Sequence, residues 1–142
     1  MSTTLFLGGA RSGKSRLAQA AAEAIAGPLL YLATGEAGDG EMADRIARHR
    51  ADRGPRWRTV ECPVDLPRAI RDTGAAGDGG AVLVDCLTLW LSNLMLGNHD
   101  VAGAGAALVA AMADARGALM LVSNEVGLGL VPETPLGRAF RD

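Results

Sequence analysis

The stretch GGARSGKS, Gly8 to Ser15, constrains the fold of this chain more than any other. It matches the spacing G-x-x-x-x-G-K-[ST], follows the apolar run TTLFLGG and opens a run of helix formers, GKSRLAQAAAEAIAG. Each part of that setting has a physical reason. Glycines let the backbone wrap closely around a small anion, so successive N–H groups can point at it. The helix N-terminus that follows adds partial positive charge. Lys14 can reach the β- and γ-phosphates of a nucleotide, and the Ser15 hydroxyl can serve a magnesium ion. Lys14 is also the only lysine, against thirteen arginines. The compact, mobile ammonium is kept where a loop closes around phosphate. The competing reading is a Gly-rich turn that fits the spacing by accident, and the strand before it and helix after it argue against that.

A strand–loop–helix unit must bury its apolar faces against similar units, and the chain supplies them in alternation. PLLYLAT, AVLVD and ALMLV are short continuous apolar runs expected as buried strands, and WRTVE is expected as a further short strand. VDLPRAIRDT, CLTLWLSNLML and AGAALVAAMADARG read as helices, and Gly27 with Pro28 is expected to stop the first one. From Glu41 to Arg53 a helical pattern puts Met42, Ile46 and His49 on one face. Buried strands alternating with helices give an α/β domain with a mainly parallel sheet flanked by helices. With the loop, the expectation is a single P-loop nucleotide-binding domain of the RecA-like kind over residues 1–142.

Composition narrows the partners. The 142 residues are 49% hydrophobic and 21% charged, enough for a globular core. A net charge of -2 gives no general drive toward nucleic acid or anionic membranes. Only residues 45–58 form a basic stripe. No apolar run approaches the roughly 20 residues of a membrane span. The N-terminus has no basic n-region or cleavage site, so a cytoplasmic location is expected. Cys62 and Cys86 lack metal-ligand spacing and are expected as reduced, packed thiols.

Asp85 ends the AVLVD run. A strand-end carboxylate beside a phosphate loop can hold Mg²⁺, directly or through water. Capping the next helix is a compatible rival role. RIARHRADRG, residues 45–54, sets four arginines around His49 in a chain with two histidines. Facing inward, His49 reads plainly as a hydrogen-bonded core histidine. Among Arg45, Arg48, Arg50 and Arg53 it also reads as a nucleophile, since cationic neighbours favour the neutral imidazole that can attack phosphorus. His99, in GNHDVAG, reads as a loop tip.

LGGARSGKS, YLATGE, EMADRIARHRADR, WRTVE, VLVDCLTLWLSNLM and VSNEVGLGLVPETPLGRAFRD together resemble one family. It is the bifunctional adenosylcobinamide kinase / adenosylcobinamide-phosphate guanylyltransferase family of cobalamin biosynthesis. The loop alone is generic, whereas DCLTLWLSN and NEVGLGLVPE make the resemblance specific. It implies phosphorylation of the aminopropanol hydroxyl of adenosylcobinamide by a nucleoside triphosphate. GMP from GTP is then transferred onto that phosphate through a guanylylated histidine, with loss of pyrophosphate. ATP and GTP are the implied substrates, Mg²⁺ the implied cofactor, and His49, in R-I-x-x-H-R, the implied nucleophile. Gly8, Gly9, Ala10, Arg11, Ser12, Gly13, Lys14 and Ser15 are implied around the phosphates. Ala33, Thr34 and Gly35 are implied beside the nucleotide, with Arg50, Ala51, Asp52, Arg53, Glu61 and Asp85 at further contacts. Glu61 by itself reads as a strand-end surface charge. The family also suggests a homotrimer with sites near subunit boundaries. Its members continue past FRD through a helix and a final strand, so the expected domain lacks both. The MLGNHDVAGAGAA segment is expected to be short.

Three other functions fit parts of the pattern. One is a monofunctional P-loop kinase of another small molecule, with His49 structural. Another is a RecA-like nucleic-acid ATPase, which the net charge and the near absence of aromatics beside the arginines oppose. A nucleotide-binding regulator without turnover is the third.

Overall fold

A computed structural model of the chain describes residues 2–9, 12–35, 53–72, 80–124 and 136. Nine elements follow in order among these residues. They are β1 (Ser2–Gly8), α1 (Lys14–Glu23), β2 (Leu29–Ala33), β3 (Trp57–Glu61), α2 (Leu66–Asp72), β4 (Ala81–Asp85), α3 (Leu87–Leu96), α4 (Val101–Asp114) and β5 (Ala118–Asn124). The strands form one sheet in the order β1-β5-β4-β2-β3, every pair parallel. The α/β expectation therefore holds, and all five expected strands are present.

Side-chain alternation sorts the sheet into two faces. Leu29, Tyr31, Leu83, Met120 and Val122 point to one side and pack on Ala18 and Ala22 of α1. Leu30, Leu32, Val82, Val84, Leu119 and Leu121 point to the other, under Leu66 and Ile70 of α2, Trp90 and Leu94 of α3, and Leu108 and Ala111 of α4. β2 and β4 read as unbroken apolar runs because they are buried on both faces. The small alanines of α1 let that helix lie close to the sheet, which fixes the loop at its N-terminus.

Two boundaries differ from the sequence pattern. α1 ends at Glu23, ahead of Gly27, and Arg56 supplies donors to the exposed end. Its guanidinium donates to the carbonyls of Glu23, Ile25 and Gly27. Those carbonyls would otherwise lack partners at a helix C-terminus. α4 begins at Val101, ahead of the AGAAL pattern, because Asp100 caps it by accepting from the Gly103 N–H at 3.1 Å. His99 lies exposed in the turn between α3 and α4, as expected. Cys62 and Cys86 are buried free thiols. Burial pushes both up from their usual range, helped by the negative charge of Asp65 for Cys62 and of Asp85 for Cys86, so both stay protonated. The pattern expected from Glu41 to Arg53 lies outside the described residues except for Arg53.

Candidate nucleotide site

In an open parallel sheet, ligands bind outside the carboxyl ends of the strands. The expected site residues that can be described lie along that edge, except Arg53, which precedes β3 and reaches over the face of the sheet. Gly8 closes β1, and the chain turns so that the Ser12 N–H donates to Gly9 O at 3.3 Å. Gly13 caps α1 at φ 84, a left-handed conformation that glycine takes without steric cost. A Cβ on Gly8 would stand 2.8 Å from Ser12 Oγ, so a side chain there would make the Ser12 hydroxyl turn away. Lys14 folds back over the loop and its Nζ donates to Gly9 O at 3.1 Å. The ammonium thus lies against the loop's own backbone, on a carbonyl that a phosphate oxygen could replace. Ser15 follows in the first turn of α1. Ala10 and Arg11 lie outside the described residues, as do His49, Arg50, Ala51 and Asp52.

Asp85, Ala33 and Glu61 stand side by side at the ends of β4, β2 and β3. Asp85 pairs in register with Val122, whereas Gly8 pairs with Asn124, and β5 separates the two strands. Two strand spacings are about 10 Å, room for phosphate, an ion and water between loop and carboxylate. Asp85 is thus across β5 from the loop and not directly beside it. The helix-capping role fails on geometry: α3 has Cys86 as its N-cap and no side-chain cap bond. Instead Asp85 Oδ2 accepts from Tyr31 Oη at 2.6 Å. Burial, then the Asp85 charge and hydrogen bond, push the Tyr31 phenol well above its ordinary value, so it remains a donor.

Thr34 is fully buried, and its hydroxyl exchanges hydrogen bonds with the Cys86 backbone, donating to the carbonyl at 2.7 Å and accepting from the N–H at 2.8 Å. Asn93 Nδ2 donates to Thr34 O at 2.8 Å and to Pro63 O at 3.0 Å. The Ala33–Thr34–Gly35 segment is therefore pinned between α3 and the β3–α2 connection. Arg53 is buried, with its guanidinium 3.6 Å from the centre of the Tyr31 ring and Nη2 donating to Thr59 Oγ1 at 3.0 Å. Glu61 is exposed at the sheet edge.

Tyr31 and Asn93 escaped the reading of the motifs. A signal for Tyr31 was present: the only tyrosine in the chain stands in the buried run LLYLA, where its hydroxyl must find a partner. Asn93 gave only a polar residue in an apolar helix.

A magnesium ion binds hard oxygens and keeps much of its water. Asp85 Oδ1 has no hydrogen-bond donor among the described residues, and the Ser15 hydroxyl lies in the loop. No cluster of three His, Cys, Asp or Glu side chains occurs among the described residues. The donor set fits an ion held mainly by nucleotide phosphates and water, not a protein cage. A separate cavity of about 220 Å³ opens between α3 and α4, lined by Leu87, Trp90, Leu94 and Leu108 with Thr88 and Ser123. It offers no charge and is not a phosphate site. Among the described residues no helix is long and apolar enough to cross a membrane.

Comparison with known proteins agrees with this geometry. Residues 4–142 match the family model described as cobinamide kinase / cobinamide phosphate guanyltransferase. The bifunctional adenosylcobalamin biosynthesis protein CobP of Pseudomonas aeruginosa is 49% identical over 140 residues, 97% of this chain and 80% of that protein. The bifunctional adenosylcobalamin biosynthesis protein CobU of Salmonella typhimurium is 41% identical over 153 residues, 97% of this chain and 83% of that protein. Its Escherichia coli counterpart is 38% identical over 156 residues, with the same coverage. The chain belongs to the cobinamide kinase / cobinamide phosphate guanyltransferase family, a family of α/β enzymes.

Proposed function

We propose that this protein carries out both reactions of its family. It phosphorylates adenosylcobinamide with a nucleoside triphosphate and then transfers GMP from GTP to adenosylcobinamide phosphate, acting in the cytoplasm as a homotrimer of single-domain chains. The observation that carries the reading is the loop itself. Lys14 is drawn back onto it by the bond to Gly9 O, at the same carboxyl edge of the sheet as Asp85.

In the kinase step, the loop N–H groups and Lys14 hold the β- and γ-phosphates and align them for in-line attack by the aminopropanol hydroxyl. Bound magnesium would neutralise charge developing on the phosphate oxygens. Asp85 and Ser15 are the residues that would hold it. In the second step, a neutral nitrogen of His49 attacks the α-phosphorus of GTP and pyrophosphate leaves. The cobinamide phosphate then attacks the resulting phosphoramidate and frees the imidazole. Arg50 and Arg53 keep positive charge near the transferred phosphate.

The test is mass spectrometry of the protein after incubation with Mg·GTP, together with phosphate transfer from ATP to adenosylcobinamide. The expected result is a single GMP adduct, stable in alkali and lost in acid, at His49. Kinase activity with no adduct would leave a monofunctional kinase. An adduct at another residue would move the nucleophile away from His49.

A further inference from the structure

Tyr31 touches both Asp85 and Arg53. Its hydroxyl donates to Asp85 Oδ2 at 2.6 Å, and its ring carries the Arg53 guanidinium 3.6 Å from its centre. Trp57 meets the same ring edge-on, with centroids 6.2 Å apart. The ring is therefore held on two sides by groups from the β3 region, and the hydroxyl has one direction left to point. The Asp85 carboxylate has a single donor among the described residues, and that donor is Tyr31. A carboxylate at a strand end that is only half-buried would otherwise turn freely between rotamers.

We propose that Tyr31 is a positioning residue that fixes the Asp85 carboxylate by holding Oδ2, so that Oδ1 is presented to the magnesium-bound nucleotide. This rests on the function proposed above only in assigning Asp85 to the nucleotide's metal. Tyr31 touches neither substrate nor phosphate in this role. It acts through Asp85, and its contribution exists only where Asp85 is used.

Tyr31→Phe separates the hydroxyl from the ring, because phenylalanine keeps the surface on which Arg53 and Trp57 pack. The readout is equilibrium binding of a fluorescent, non-hydrolysable GTP analogue, in MgCl₂ and in EDTA, which needs neither cobinamide nor turnover. Loss of a hydrogen bond to a charged group predicts roughly tenfold weaker binding in magnesium, and unchanged binding in EDTA. In the Asp85→Asn background, Tyr31→Phe should produce no further loss, since the two act as one unit. Equal weakening with and without magnesium, or losses that multiply in the double variant, would overturn the inference. So would a lowered Tm with unaltered magnesium-dependent affinity, the mark of a purely structural tyrosine. Wild-type protein that binds no nucleotide would instead overturn the proposed function. Normal wild-type binding with an unaffected Tyr31→Phe variant overturns this inference alone.

Discussion

Lys14 donates to Gly9 O of its own loop, and in the function proposed above a phosphate would replace that weak partner. Lys14→Ala removes the point charge without disturbing packed residues. Triphosphate affinity should fall at least tenfold, as expected when a charged hydrogen bond is lost, while thermal unfolding stays within a degree or so. Lys14→Arg should recover little of this, because a planar guanidinium does not fit a loop closed around phosphate. Wild-type affinity in Lys14→Ala would sink the loop assignment. His49→Asn retains a hydrogen-bonding group but cannot form a phosphoramidate. It should lose the GMP adduct and keep cobinamide phosphorylation, whereas His99→Asn should keep both. A GMP adduct on His49→Asn would place the nucleophile elsewhere. Lys14 and Asp85 were legible because a motif and a strand end fix their positions relative to the backbone. Tyr31's bond to Asp85 was not, because it joins residues 54 apart that only the sheet register brings together. The same register explains why Asp85 stands across β5 from the loop: strand order is a long-range property that no local spacing encodes.

At the scale of elements, strand identity was the most legible feature, since continuous apolar runs of this length have few other uses. Boundaries were less so. The end of α1 is satisfied by Arg56, reaching from a distant turn, and the start of α4 is set by Asp100, a cap that the glycines following it obscured. The structure singles out Gly80. A Cβ there would stand 1.8 Å from Pro28 O, the carbonyl that accepts from the Ala81 N–H at 3.0 Å. Gly80→Ala must therefore push β4 away from the start of β2, at a cost of about 1–3 kcal/mol. Urea unfolding should show a lower midpoint with an unchanged slope. A midpoint equal to wild type would mean that the backbone relaxes there without cost.

For the whole molecule, the order β1-β5-β4-β2-β3 has a consequence in time. Strands β2, β3 and β4 lie next to one another and can associate as soon as they exist. β1 cannot, for its neighbour in the sheet is β5, with Ser2 aligned to Ala118 near the other end of the described chain. During synthesis β1 emerges well before its partner β5 and must wait for it, and closing so long a loop is slow. The phosphate loop hangs from β1 and takes its shape only when β1 is seated. In refolding from urea, fluorescence of Trp57 and Trp90, which report on β3 and α3, should recover before the ability to bind a GTP analogue. Simultaneous recovery of the two signals would exclude this order of events. Because β1 pairs only with β5 among the described strands, a chain stalled before β5 would lack the anchor of its own loop, so the capacity to bind nucleotide doubles as a report that synthesis has passed that point.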